Sequence, residues 1–258
     1  MKINIKILGL IFIIFVLSCE ENDPLSFYGG QDLVALVDEA WDDFNNADSS
    51  EDYENALDKF NQAKDSADVQ VDMDTLLIHT TYSDIHTGIG WCNLRLLNAD
   101  IARDNFITSQ GYEEYSFGTS VGLMTAYYEL AYRQDEGEDN DPDISLSYII
   151  DTTQINLAID IGHWIFSSGM PDEFVHDTTI NVDDVRLLMA KSYLAKGDLS
   201  KEAGALYWIL QLDSDYDYLK TDNTDTWNLY DTGEQDFDSF EEVILMIIIE
   251  LEKEVFPA

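Results

Sequence analysis

Three consecutive segments decide the fold: LVALVDEAWDDFNN (33–46), ADSSED (47–52) and YENALDKFNQAKDSA (53–67). In the first and third segments, apolar residues recur at spacings of three and four, which predicts two amphipathic helices. The middle segment is polar, and its Ser and Asp side chains can cap the second helix. Together the three segments predict an antiparallel helical hairpin over residues 33–67.

This hairpin resembles a tetratricopeptide repeat, although its turn is a few residues longer than the family's usual one. In that family, large side chains on the first helix fill the space left by small alanines on the second, so the helices approach closely. The resemblance implies a stack of similar hairpins. The residues that carry it are Trp41 and Phe44 before the turn, and Tyr53, Ala56, Phe60 and Ala63 after it.

Two further hairpins are predicted, over residues 75–108 and 182–212. The latter consists of helices over 182–195 and 199–212, with Ala203 among the inward apolar residues of the second helix. The first hairpin contains GIGWCNLRL (88–96), which resembles a segment that often precedes a repeat turn in lipoproteins that contain tetratricopeptide repeats. Each glycine in it costs a helix about 1 kcal/mol relative to alanine, so we expect close helix–helix contact in compensation. The second contains AKSYLAKGD (190–198), similar to the end of a repeat's first helix, with Ala203 one residue out of the family's register.

The remaining segments complete an all-α prediction. Apolar periodicity predicts helices over 117–133 and 155–166, although residues 110–170 match the repeat poorly. The run VILMIII (243–249) predicts a buried closing helix over 240–251, with a strand as the alternative because of its isoleucines. The predicted fold is therefore a set of stacked antiparallel helical hairpins, a tetratricopeptide-like α-solenoid, over residues 33–258.

The N-terminus resembles a bacterial lipoprotein signal. Two lysines precede an apolar run over residues 7–17, which is shorter than the roughly 20 residues that a membrane-spanning helix needs. The following VLSC (16–19) resembles a lipobox, and the resemblance implies removal of residues 1–18 and lipidation of Cys19. An ordinary signal peptide or an anchoring helix is the alternative.

Residues 19–32 are predicted to form an acidic tether. Its EENDP (20–24) resembles the export tag of surface lipoproteins in some Gram-negative lineages, but it also suits a plain solvated linker. The prediction is a lipid-anchored protein of the outer membrane in the cell envelope. Whether it faces the periplasm or the cell surface stays open.

Charge excludes several classes of partner. The chain has 52 acidic and 13 basic residues, a net charge of −39. Two of the bases, Lys2 and Lys6, precede Cys19, so a chain cut there would carry −41. Nucleic acid and anionic lipid headgroups would be repelled by such a protein.

No motif predicts catalysis, a cofactor or a metal centre. The histidines (79, 86, 163 and 176) lack the spacing of three or four that places two ligands together on a helix, and Cys92 lies in an apolar helix without a second cysteine or a basic partner. Two Asp-x-Asp-x-Asp segments, 139–143 and 213–217, lack the glycine and glutamate of a calcium-binding loop. Solvated loops are the favoured interpretation there, with weak divalent binding as the alternative.

The leading functional prediction is a non-enzymatic scaffold that binds another envelope protein or a peptide in the groove of its helical repeats. The alternatives are a surface glycan- or solute-binding lipoprotein and an outer-membrane assembly lipoprotein. The residues that could face such a groove are Asn93, Arg95, Tyr127, Tyr128 and Tyr132.

Overall fold

A computed structural model describes residues 25–69, 75–114, 116–134, 148–220, 237 and 239–255. Within these ranges the chain is almost entirely helical, which confirms the all-α prediction. The α-helices are α1 (Leu25–Asn45), α2 (Ser50–Val69), α3 (Thr75–Arg95), α4 (Ala99–Tyr112), α5 (Phe117–Ala131), α6 (Thr152–Ser168), α7 (Val182–Lys196), α8 (Ala205–Leu212) and α9 (Phe240–Val255). Strands β1 (Tyr132–Gln134) and β2 (Tyr148–Ile150) form a small antiparallel ladder, and Ser214–Tyr218 is a 3-10 helix.

Some sequence predictions concern residues outside these ranges. The signal segment 1–18 and Cys19 are among them, as is the acidic segment 139–143. Helix α1 begins at Leu25, so residues 25–32, which were predicted to belong to the tether, have a helical backbone. In the part of the chain that the structure covers, no helix is both long and apolar enough to cross a bilayer.

Consecutive helices from α1 to α8 pack against one another in chain order. In addition, α1 contacts α3, α3 contacts α5, and α5 contacts α7. These four helices therefore lie side by side, and we call the surface they form the odd-helix face. Helix α9 closes the array by packing on α7 and α8.

The first hairpin, α1–α2, has the packing that its sequence predicts. Ala56 and Ala63 on α2 are fully buried, and the Trp41 ring of α1 meets Phe60 edge-on at 5.0 Å between centroids. Ser49 caps α2, because its hydroxyl accepts the backbone N–H of Asp52 at 3.3 Å. Large side chains on one helix thus fill the space beside small ones on the other.

The glycines of α3 allow close contact with the neighbouring helices, as predicted. A Cβ atom placed on Gly88 would lie 2.3 Å from the Phe60 ring of α2. One placed on Gly90 would lie 2.6 Å from the Phe106 ring of α4. Real Cβ atoms do not approach so closely, so both phenylalanines occupy space that only glycine leaves open.

The predicted helix over 199–212 is wrong at its start, because α8 begins only at Ala205. The backbone before it forms a turn in which the Ala205 N–H donates to the Asp198 carbonyl at 2.8 Å, and the Asp198 side chain accepts the Ser200 N–H. Ala203, predicted to point inward, is exposed, and Ala205 is the buried alanine. The imperfect repeat register at Ala203 reflects this turn.

The C-terminal segment is a helix, and the alternative strand is excluded. Helix α9 begins after Ser239, whose hydroxyl accepts the Glu242 N–H at 3.3 Å. One stripe of the helix is buried, as predicted for a closing helix. Its members are Phe240, Val243, Ile244, Ile247, Ile248 and Leu251.

Candidate functional site on the odd-helix face

The odd-helix face contains a pocket of about 160 Å³ between α3, α5 and α7. Its walls are mostly apolar, and charged side chains stand among them. The lining residues are Trp91, Arg95, Val121, Thr125, Tyr128, Glu129, Ile180, Asp184, Leu187, Leu188 and Lys191. Three successive odd-numbered helices therefore contribute to one concave site.

One end of the pocket holds Asp184, in the first turn of α7. Its carboxylate accepts the Asn181 N–H at 2.6 Å and closes a capping box with the Asn181 side chain. The residue is only 7% exposed, and its Oδ1 has no hydrogen-bond partner in the part of the chain that the structure describes. Burial raises the pKa of the carboxyl to about 6. Asp184 thus anchors the helix at an electrostatic cost.

Two basic residues, Arg95 and Lys191, and a second acidic residue, Glu129, also line the pocket. Lys191 lies seven residues along α7 from Asp184, about 10 Å at the helical rise. Its ammonium pairs with Glu252 of α9 at 2.5 Å and lies 5.4 Å from the centre of the Tyr128 ring. Arg95 is exposed and makes no ion pair with any residue that the structure describes. Two of this acidic protein's few cations therefore stand at one site.

The structure brings together only part of the predicted groove set. Arg95 and Tyr128 line the pocket. The prediction for Asn93 is wrong: its side chain is buried and donates to the Ile89 carbonyl at 2.8 Å. Tyr127 packs against the core, and the Tyr132 hydroxyl accepts a hydrogen bond from Tyr128 at 3.2 Å.

Sequence reasoning missed the pocket residues Leu187, Lys191 and Ile180. The first two lie on α7, in a helix assigned to the third hairpin. The sequence does not show which hairpins lie next to one another in space. The contact between α7 and α5 is therefore visible only in the folded structure.

A short segment between α6 and α7, residues 172–181, crosses the odd-helix face, and we call it the strap. Its backbone is a small hairpin: the Phe174 N–H donates to the Ile180 carbonyl, and the Val182 N–H donates to Asp172, both at 2.9 Å. Ile180 also forms part of the pocket wall. The strap therefore borders the pocket and bounds it on one side.

The strap reaches as far as α1. The Phe174 ring lies 5.4 Å from Trp41 and 6.0 Å from Trp91, between centroids. The His176 ring stacks on Trp41 at 4.4 Å and contacts the Asp84 carboxylate at 3.3 Å. Asn45 donates to the His176 carbonyl at 2.8 Å. The α1–α3–α5 part of the face is thus covered by the chain's own segment.

The remaining candidate residues have structural partners. His86 is buried beside Asn105, with 2.9 Å between the ring nitrogen and the amide oxygen, and His163 lies 2.9 Å from the Tyr193 hydroxyl. His79 is exposed and meets the Tyr112 ring edge-on. Cys92 is fully buried, and burial raises the pKa of its thiol to about 12. Such a thiol is a packing group, as predicted.

The Asp-rich segment 213–217 is part of a 3-10 helix. Asp213 caps it by accepting the Asp215 N–H at 2.8 Å, and Asp217 pairs with Lys201 at 2.7 Å. Among the residues described, no three His, Cys, Asp or Glu side chains are placed to hold a metal ion. Helix capping and ion pairing account for two of the three carboxylates.

Comparison with protein-family models, with curated proteins and with solved structures found no match to this chain.

Proposed function

We propose that the protein is a lipid-anchored scaffold of the cell envelope that binds a segment of another protein on its odd-helix face. Lipidation of Cys19 holds it to the outer membrane, and the stacked hairpins act as a tetratricopeptide-like solenoid. The mature protein performs no catalysis and carries no cofactor. The pocket between α3, α5 and α7 is the observation that supports this function.

The size of the pocket favours a side chain over a free ligand. At about 160 Å³ it is close to the roughly 150 Å³ of an engineered cavity that holds one benzene ring. Sites for free small molecules usually measure about 300–1,000 Å³. A single apolar or aromatic side chain of a bound polypeptide suits the space among Val121, Leu187 and Leu188.

The charge of the protein favours a neutral or basic partner. A net charge of −39 raises the encounter rate with cationic surfaces and repels polyanions. At the pocket itself Lys191 is paired with Glu252, whereas Arg95 makes no ion pair with a described residue, so an acidic or carbonyl group of the partner could dock at Arg95. The partner we expect is therefore basic overall, with local polar contacts at the pocket rim.

A pull-down from detergent-solubilised membranes tests the proposal. The baits are the wild-type protein, a pocket variant (Leu188→Arg) and a control variant (Leu157→Arg), whose site is exposed on α6 outside the pocket. We expect the same polypeptide to be retained by the wild type and the control and lost from the pocket variant. Melting curves establish that all three baits are folded.

Two results would contradict the proposal. If the three baits retained the polypeptide equally, the pocket would not be its binding site. Retention of the protein on a glycan array, abolished by Leu188→Arg, would favour the surface glycan-binding alternative. Co-purification with the outer-membrane assembly machinery, lost in the same variant, would specify an assembly lipoprotein within the scaffold class.

A further inference from the structure

The strap occupies the α1–α3–α5 part of the odd-helix face in the manner of a bound peptide. Its backbone–backbone hydrogen bonds join strap residues to one another and to Val182 at the start of α7, so side-chain contacts hold the strap on α1, α3 and α5. Its outer surface is open, since Val175 is 80% exposed. Residues 173–180 can leave without breaking any backbone hydrogen bond within a helix, and Asn181 can stay behind as the cap of α7; the Asn45 hydrogen bond to the His176 carbonyl is lost.

The surface beneath the strap is shaped for an aromatic side chain. The Phe174 ring lies between Trp41 and Trp91, on the side of α5 where Gly118 has no Cβ atom. A Cβ placed on Gly118 would lie 2.1 Å from that ring. The seat of Phe174 therefore consists of two indoles and a bare stretch of helix backbone.

The strap leaves this seat imperfectly filled. Trp41 is 2% exposed, and none of the described residues offers its Nε1 a hydrogen-bond acceptor. A buried donor without a partner lowers the stability of the closed arrangement. In addition, Asp172, Glu173 and Asp177 place three carboxylates in the strap of an already acidic protein.

We propose that the strap is an internal substitute for the partner, and that the partner's segment displaces it by inserting an aromatic residue flanked by basic residues into the seat of Phe174. This inference rests on the proposed function and specifies its ligand. The incoming segment keeps the aromatic contacts of Phe174 and replaces repulsive carboxylates by attractive cations. Because the strap ends at the pocket wall formed by Ile180, its displacement opens the seat of Phe174 beside the pocket.

The strap competes with any added segment because it is tethered beside its own site. Tethering gives the strap a high effective concentration at the seat. The apparent Kd of the wild-type protein for an added segment is therefore the Kd of the open seat divided by the fraction of molecules in which the seat is open. Removing the strap should therefore strengthen binding without any change in the seat itself.

A peptide-binding assay in the full-length chain tests the inference. In one variant a Gly-Ser linker of equal length replaces residues 173–179, which retains Ile180 and the helix cap Asn181. The probes are fluorescent peptides of the strap sequence, DEFVHDTTIN, and of a basic version, KKFVHDTTIN. We expect the linker variant to bind both with a Kd at least tenfold lower than the wild type does.

Two controls make the assay specific. Adding Gly118→Ala to the linker variant should abolish binding, because the new Cβ fills the aromatic seat. Adding Gly111→Ala should not, because the Cβ placed there meets no atom of another described part of the chain within 4 Å. The basic peptide should bind more tightly than the strap peptide at low salt, and the difference should shrink as salt screens the charges. Equal affinities at low salt would overturn the choice of a basic partner.

A point variant covers the case in which the linker variant does not fold. His176→Ala removes the stack on Trp41 and the contact with Asp84, so the Phe174 and Val182 amides should exchange with solvent at least tenfold faster, and the peptides should bind more tightly than to the wild type. A folded linker variant that binds neither peptide, or a His176→Ala variant unchanged in both measurements, would overturn the inference. Since the assay contains no envelope partner, its failure overturns the strap inference alone, whereas failure of the pull-down overturns the proposed function.

Discussion

Gly88→Ala should destabilise the protein relative to Gly111→Ala, because the Cβ placed at Gly111 meets no packed side chain among the described residues. The new Cβ would lie 2.3 Å from the Phe60 ring, whereas carbon atoms in contact are separated by about 3.5–4.0 Å. The ring must therefore move by more than about 1 Å. It is fully buried and held edge-on against Trp41, so little free space receives it.

The magnitude follows from two opposing effects. Overpacking of this kind costs about 1–3 kcal/mol, and alanine stabilises a helix by about 1 kcal/mol relative to glycine. The net change for Gly88→Ala is a loss of about 0–2 kcal/mol of unfolding free energy. Gly111→Ala, at an exposed position near the end of α4, gains helix propensity alone, about 0.5–1 kcal/mol.

The assay is chemical denaturation of the two variants in the wild-type and Phe60→Leu backgrounds. In the wild-type background Gly88→Ala should be less stable than Gly111→Ala by about 0.5–3 kcal/mol, and each kcal/mol corresponds to about 2–4 °C in Tm. In the Phe60→Leu background the penalty should disappear, because the smaller side chain leaves room for the methyl group. Equal effects of Gly88→Ala in both backgrounds would show that the Gly88–Phe60 contact does not limit the packing of α2 on α3.

Four further outcomes are expected. Ala56→Trp should lower the unfolding free energy by about 1–3 kcal/mol, because Ala56 is fully buried beside α1; an unchanged melting midpoint would place Ala56 in solvent. Asp184→Asn should stabilise the protein at pH 7.5 and have little effect at pH 4. Burial raises the pKa of Asp184 from 3.8 to about 6, so the neutral carboxyl suits the folded state below pH 3.8, and this contribution to stability is lost as the pH rises through about 6 and the group becomes charged. The gain in unfolding free energy at pH 7.5 is at most about 3 kcal/mol and is measured by denaturation at both pH values. An equal effect of the substitution at pH 7.5 and pH 4 would contradict the raised pKa of Asp184. Cys19→Ala should leave the leader uncleaved and abolish incorporation of a fatty-acid probe, whereas unchanged labelling would rule out a lipid on Cys19. Sodium chloride should raise the Tm, because it screens the repulsion among the charges that give the net −39. Calcium should raise the Tm little more than the same concentration of magnesium. A Tm that does not change with salt would refute the claim that charge repulsion destabilises the folded state.

The sequence predicted the helices well where their apolar faces are periodic. The hairpins α1–α2 and α3–α4 were identified from spacing, and the contacts of Gly88 and Gly90 were anticipated because a helical glycine needs compensation. These features are local: each depends on residues within one helix and its neighbour in the chain.

The features that the sequence did not reveal depend on contacts between distant residues. Nothing periodic in residues 172–181 indicates that His176 stacks on Trp41 and accepts a hydrogen bond from Asn45. Asn93 was predicted as a residue that could face the groove, but its amide donates to a carbonyl in the preceding turn of its own helix. At residues 199–204 the turn formed around Asp198 overrides a helical apolar pattern.

Photocrosslinking from the pocket tests most directly the central claim, that the odd-helix face binds another polypeptide. Benzoylphenylalanine replaces Tyr128, which lines the pocket, or Tyr112, which is exposed on α4 outside it. Irradiation of intact cells should link position 128, and not position 112, to a distinct polypeptide. Equal crosslinking from both positions, or none from position 128, would contradict the claim.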